Sequence, residues 1–97
     1  MGKHTNRSAI ERIEHRLGTK ERGSGVDFVT RGRAYEYADR SQDVQESVGQ
    51  LQRSRAPGSK TLIVPQNLVE KAIEETKGTG IGIENISGTQ VKKPRRV

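Results

Sequence analysis

The chain has 97 residues, 29% of them hydrophobic, and 18 Lys and Arg against 12 Asp and Glu give it a formal charge of +6. That length makes one domain with a small core, because only about 60–65% of the unfolded surface is withdrawn from water, and a homodimer would help to cover the rest. The absence of cysteine excludes a disulfide partner, a thiolate metal site and a Cys nucleophile. No apolar run reaches the length of a membrane span, so the expectation is an intracellular, cytoplasmic protein with no membrane partner.

Residues 1–7 are polar and basic and read as a flexible N-terminus. The start MGKHTN has Asn6 where a myristoylation signal requires Ser or Thr. Ser8-Ala9-Ile10-Glu11 has the form of a capping box, and Ile10, Ile13 and Leu17 then recur at helical spacing before Gly18, which predicts a first helix. TKERGSG is a loop. The runs VDFVT and RAYEYA follow, two β-prone stretches on either side of Arg31-Gly32. Ser41 is placed to cap a second helix with an apolar stripe of Val44, Val48 and Leu51, which ends in the turn-rich RSRAPGS. Thr61-Leu62-Ile63-Val64 is a short continuous apolar run, the pattern of a strand buried on both faces, and Pro65 stops it. Leu68 to Lys77 reads as a third helix, with Leu68, Val69, Ala72 and Ile73 inward and Gly78 as its stop. Ile81, Ile83 and Ile86 suggest a last strand.

The predicted order is α-β-β-α-β-α-β, an α/β fold with a small mixed sheet flanked by helices. The second strand, its helix and the third strand form a crossover that should be right-handed, with those two strands parallel. One domain over residues 8–91 is expected, followed by a basic C-terminal tail, KKPRRV, over 92–97.

If Arg31-Gly32 is a two-residue hairpin loop, Thr30 faces Arg33 and Asp27 lies opposite Glu36 on one face of the hairpin. Val26 then opposes Tyr37, and Phe28 opposes Tyr35, on the other face. That second face collects every aromatic side chain of the protein, and a core role fits these three better than a stacking platform for bases. The carboxylate face is harder to explain by packing, since like charges directly opposed across a hairpin destabilise it. A divalent cation between Asp27 and Glu36 would remove the conflict, and their hard oxygen ligands suit Mg²⁺ or Mn²⁺. The competing explanations are a solvated face or neutralisation by Arg33 and Arg40.

The positive charge is spread along the chain rather than gathered in one tail, and DNA is the leading partner on electrostatic grounds. Candidate phosphate contacts are Arg31, Arg33 and Arg40, the loop residues Arg53, Arg55 and Lys60, and the tail residues Lys92, Lys93, Arg95 and Arg96. Gly78-Thr79-Gly80-Ile81-Gly82 follows a helix and precedes a strand, the wrong order for a phosphate-binding loop. His4 and His15 are isolated from any metal-ligand spacing.

The arrangement resembles the PD-(D/E)xK nuclease superfamily, the fold of many restriction endonucleases and of archaeal Holliday-junction resolvases. The residues that carry the likeness are a helix with Glu11, then Val26-Asp27-Phe28-Val29, Tyr35-Glu36-Tyr37-Ala38, a helix with Val48-Gly49-Gln50-Leu51, and Thr61-Leu62-Ile63-Val64-Pro65. Over residues 8–86 the resemblance implies a restriction-endonuclease-like core, with Asp27 and Glu36 as metal ligands and Glu11 as an outer carboxylate. It implies a metal-dependent DNA endonuclease or resolvase, in which the ion polarises a phosphate and activates water. The sequence departs from that pattern at two positions. Ala38 stands where the family has its lysine, and Val26 where it has proline. Residues 42–52 contain no Lys or Arg, so Gln50 is the natural catalytic stand-in. A nuclease-like fold kept as a non-catalytic DNA-binding module is therefore the alternative, and an assembly protein with basic tails is a third.

Overall fold

The computed structural model describes residues 7–23 and 25–95. The expectations for residues 1–6 and for Arg96 fall outside that range. Among the described residues, three α-helices and one mixed five-stranded sheet make up the fold. In chain order these are α1 (Arg7–Leu17), β1 (Phe28–Thr30), β2 (Arg33–Tyr37), α2 (Ser41–Arg53), β3 (Lys60–Ile63), a 3₁₀ turn (Gln66–Leu68), α3 (Val69–Glu75), β4 (Gly82–Glu84) and β5 (Gln90–Lys92).

The sheet order is β1-β2-β3-β4-β5. β1 and β2 form an antiparallel hairpin with Thr30 opposite Arg33 and Phe28 opposite Tyr35. β2, β3 and β4 are parallel, and β5 returns antiparallel to β4. Two successive crossovers that step the same way along a sheet, both right-handed, put their helices on the same face. The core composition agrees. Val44, Val48 and Leu51 of α2 and Val69 and Ala72 of α3 cluster with Ala34, Ala38, Leu62, Val64 and Ile83. On the other face Ala9, Ile10 and Ile13 of α1 cluster with Phe28, Tyr35, Tyr37 and Ile63. Alternation along β3 sends Leu62 and Val64 to one layer and Ile63 to the other, which is why that strand is apolar throughout. All three aromatic side chains are core residues.

The hairpin turn follows from its two residues. Arg31 has φ +52° and Gly32 φ +77°, so both central positions are left-handed, as a two-residue type I′ loop requires. Gly32 adopts this without cost; Arg31 does not.

The structure corrects the sequence reading in several places. Val26 leaves the aromatic face and joins the cluster beneath α2, because the chain bends before Phe28 instead of continuing β1. Ser8 sits inside α1, which starts at Arg7, and Arg7 Nη1 reaches Glu21 Oε1 at 3.1 Å to tie the helix start to the loop after it. Ser41 is the first residue of α2 and does not cap it; extended Arg40 takes the cap position without a side-chain cap bond. Ile73 is 37% exposed. The inward stripe of the short α3 continues instead to Thr76, whose hydroxyl donates to the Ala72 carbonyl at 2.8 Å. The strand β5 was not expected. It runs through the boundary set at residue 91, and Lys92 belongs to the sheet rather than to a tail.

Candidate functional site

The hairpin register brings Asp27 and Glu36 together. On β2 the pleat places Glu36 between Ala34 and Ala38, both in the cluster beneath α2, so its side chain faces that layer. Glu36 is fully buried and Asp27 is 7% exposed. The N–H of Asp27 donates to Glu36 Oε2 at 2.6 Å, and the N–H of Tyr37 donates to Asp27 Oδ2 at 2.9 Å. In an unbroken ladder with this register, Tyr37 would donate to the carbonyl of Val26. The Asp27 carboxylate stands in for that carbonyl where the chain bends away, and the Glu36 carboxylate secures the bend from the other side.

The other residues assigned to a catalytic centre lie elsewhere. Glu11 is exposed on α1, across the sheet from the layer that Glu36 faces. Gln50 is half-buried and lines a groove with Val26 and Val29, and it makes no hydrogen bond to either carboxylate. Ala38 is fully buried in the apolar cluster. Among the described residues no three His, Asp or Glu side chains converge to complete a metal group. Each of the two carboxylates has one oxygen accepting a backbone N–H.

The positive charge is more organised than the sequence suggested. The N-terminal ends of parallel β3 and β4, the hairpin tip and the C-terminal end of α2 all lie at one end of the sheet. The N–H of Gly58 donates to the Gly32 carbonyl at 2.7 Å and the N–H of Ala34 to the Ser59 carbonyl at 3.0 Å, which docks the hairpin tip on the loop before β3. This gathers Arg31, Arg33, Arg53, Arg55 and Lys60. Arg95 joins them, its N–H held by the Gly80 carbonyl at 2.8 Å. Arg22, which sequence reading left inside a loop, lines a groove with Arg53 and Arg55. That groove, of about 430 Å³, shares Ala56 as a wall with a second of about 380 Å³ flanked by Lys60 and Arg95. Neither groove is lined by Asp or Glu.

Among the described residues none of these seven cations is in an ion pair. The C-terminal end of α2 opposes them with about half a negative charge, too little to cancel several full positive ones. Arg40 is not in this group; it lies past the other end of β2 and its Nε holds Asp43 Oδ2 at 3.0 Å. Lys92 is also committed, its Nζ donating to the Thr76 carbonyl at 3.2 Å and hydroxyl at 3.0 Å. Lys93 is exposed. No described helix is long and apolar enough to cross a membrane.

No protein-family model, curated protein or solved structure matches this chain.

Proposed function

We propose that this protein binds nucleic acid through phosphate contacts along the basic end of its sheet, as a nuclease-like fold used for binding rather than cutting. The observation that carries this reading is the convergence of Arg22, Arg31, Arg33, Arg53, Arg55, Lys60 and Arg95 without a carboxylate partner among the described residues. Cations gathered at one end of the sheet can contact several phosphates and carry no base readout of their own, so binding is strongly salt-dependent and weakly sequence-dependent. Three features support the loss of chemistry. Glu36 is sealed beneath α2, Ala38 replaces the lysine of the resembling superfamily with a buried methyl, and Gln50 faces a groove instead of the carboxylates. The test is an electrophoretic and fluorescence titration with duplex, single-stranded and four-way-junction DNA at several salt concentrations. Undetectable binding at low salt, or binding indifferent to salt, contradicts it.

A second reading is a slow Mg²⁺- or Mn²⁺-dependent endonuclease. The placing of the Glu36 carboxylate against the backbone of Asp27, with both residues buried, favours it. Metal-dependent cutting by the wild-type protein that disappears in Asp27→Asn and in Glu36→Gln would establish that reading over the first.

A further inference from the structure

The basic end holds a groove that a backbone-tracking surface does not need. It lies between the loop that enters β3 and the loop that enters β4, and Gly58, Ser59, Lys60, Thr79, Gly80 and Arg95 line it. Its volume of about 380 Å³ falls within the range of small-ligand sites, roughly 300–1,000 Å³, and is more than a single oxyanion fills. The polar equipment is cationic on two sides. The only bond of the Lys60 ammonium among the described residues is to the Gln52 carbonyl at 3.5 Å, the outer limit for such a bond. Neither the Arg95 guanidinium nor the Ser59 hydroxyl makes a hydrogen bond or ion pair among the described residues.

The lip is also built rather than loose. The backbone of Arg95 is fastened to Gly80, and Pro94 seats so closely on β4 that a Cβ at Gly82 would fall 2.6 Å from Pro94 Cδ. On the other side Gly58 fits against the hairpin, where a Cβ would meet the Gly32 carbonyl oxygen at 2.8 Å. Ala56 and Pro57 add an apolar wall.

We infer that this groove binds a phosphomonoester, with Lys60, Arg95 and the Ser59 hydroxyl on the phosphate and the attached nucleoside along the Ala56–Pro57 wall. A dianionic terminal phosphate suits two full cations better than a backbone diester does, because it presents more charge and three free oxygens at one point. That chemistry can come from the end of a nucleic-acid strand or from a free mononucleotide. Only the first source rests on the nucleic-acid reading above.

The experiment uses three labelled single strands of one sequence, carrying a 5′-phosphate, a 3′-phosphate or hydroxyls at both ends, titrated with the full chain and read by anisotropy. In parallel, backbone amide shifts are recorded with adenosine 5′-monophosphate. One phosphorylated end should bind roughly tenfold tighter than the hydroxyl strand, the scale of a charge-assisted contact. That preference should vanish in Arg95→Ala and in Lys60→Ala. It should survive in Arg22→Ala, which removes the same charge outside the groove and weakens all three strands alike. Mononucleotide shifts should centre on Ser59, Lys60, Thr79 and Gly80. Equal binding of all strands with no mononucleotide shifts overturns this inference and leaves backbone binding intact. Mononucleotide shifts at these amides with no strand bound sustain the groove and remove the nucleic-acid reading. A preference that persists in both Arg95→Ala and Lys60→Ala also overturns it.

Discussion

Asp27 and Glu36 hold each other's strand: Glu36 Oε2 accepts the Asp27 N–H at 2.6 Å, and Asp27 Oδ2 accepts the Tyr37 N–H at 2.9 Å. Both carboxylates act as backbone acceptors at the point where β1 gives out. Removing either acceptor leaves a buried N–H without its partner, at a cost of about 1–3 kcal/mol. Asp27→Ala should therefore lower stability by about that much, whereas Asp27→Asn, which keeps an acceptor oxygen, should lose clearly less. Urea denaturation midpoints at constant slope check this. Equal losses in the two variants would mean that charge, not the acceptor, is what the site requires.

The hairpin turn offers a separation of stability from binding. Arg31 is the one non-glycine residue with positive φ among those described, at +52°. A left-handed position costs most side chains about 1–2 kcal/mol, and Asn less. Arg31→Asn should stabilise the fold by roughly 0.5–1 kcal/mol and at the same time weaken DNA binding by removing one phosphate contact. A variant that is more stable and binds as well as the wild type would take Arg31 out of the interface.

Gly58 sets the position of the basic end. With a Cβ there only 2.8 Å from the Gly32 carbonyl oxygen, backbone has to move, and Gly58→Ala should shift the loop carrying Arg55 and Lys60 away from the hairpin tip. A stability loss of about 1–3 kcal/mol is expected, together with weaker binding. Unchanged amide shifts at Gly32 and Arg33 in this variant would show that the docking of the two loops is not tight.

Ala38 is open to a direct test. It is buried among Val44, Val48 and Leu62 on the side chain layer under α2, so a lysine there must fit its chain and charge into apolar surroundings. Ala38→Lys should destabilise the protein by about 2 kcal/mol or more and should not create cutting in Mg²⁺ or Mn²⁺. Metal-dependent cleavage in this variant, absent when Asp27→Asn is added, would restore the nuclease reading.

What the sequence made legible, and what it did not, divides along physical lines. The hairpin register was readable because a two-residue Arg-Gly loop fixes the pairing from Phe28 to Tyr35, and the nearness of Asp27 to Glu36 followed from it. The stripes of α1 and α2 were readable from their spacing, as was the doubly buried β3 from its unbroken apolar run. The three residues of β5, Gln-Val-Lys, carry no alternation, and the side chain of Val91 is 39% exposed, so nothing local marks that edge strand. The bend at Val26 was hidden because it depends on side-chain acceptors replacing a ladder bond. The basic end was hidden for a different reason: Arg22, Arg31, Arg53, Lys60 and Arg95 are far apart in the chain, and only the parallel crossovers bring them to one end of the sheet. Arg40 and Lys92 looked equivalent to them in sequence and are instead held by Asp43 and Thr76.

The most direct test is the salt dependence of DNA affinity for the wild type beside Arg53→Ala, Arg55→Ala and Arg40→Ala. Each phosphate contact contributes a slope of about −0.9 in log affinity against log salt on duplex DNA. Arg53→Ala and Arg55→Ala should each weaken binding on every sequence tested and reduce the slope by about one, while Arg40→Ala, at the other end of the sheet and paired with Asp43, should leave the slope unchanged. Loss of slope in Arg40→Ala with none in Arg53→Ala or Arg55→Ala would place the interface elsewhere and contradict the assignment of the basic end.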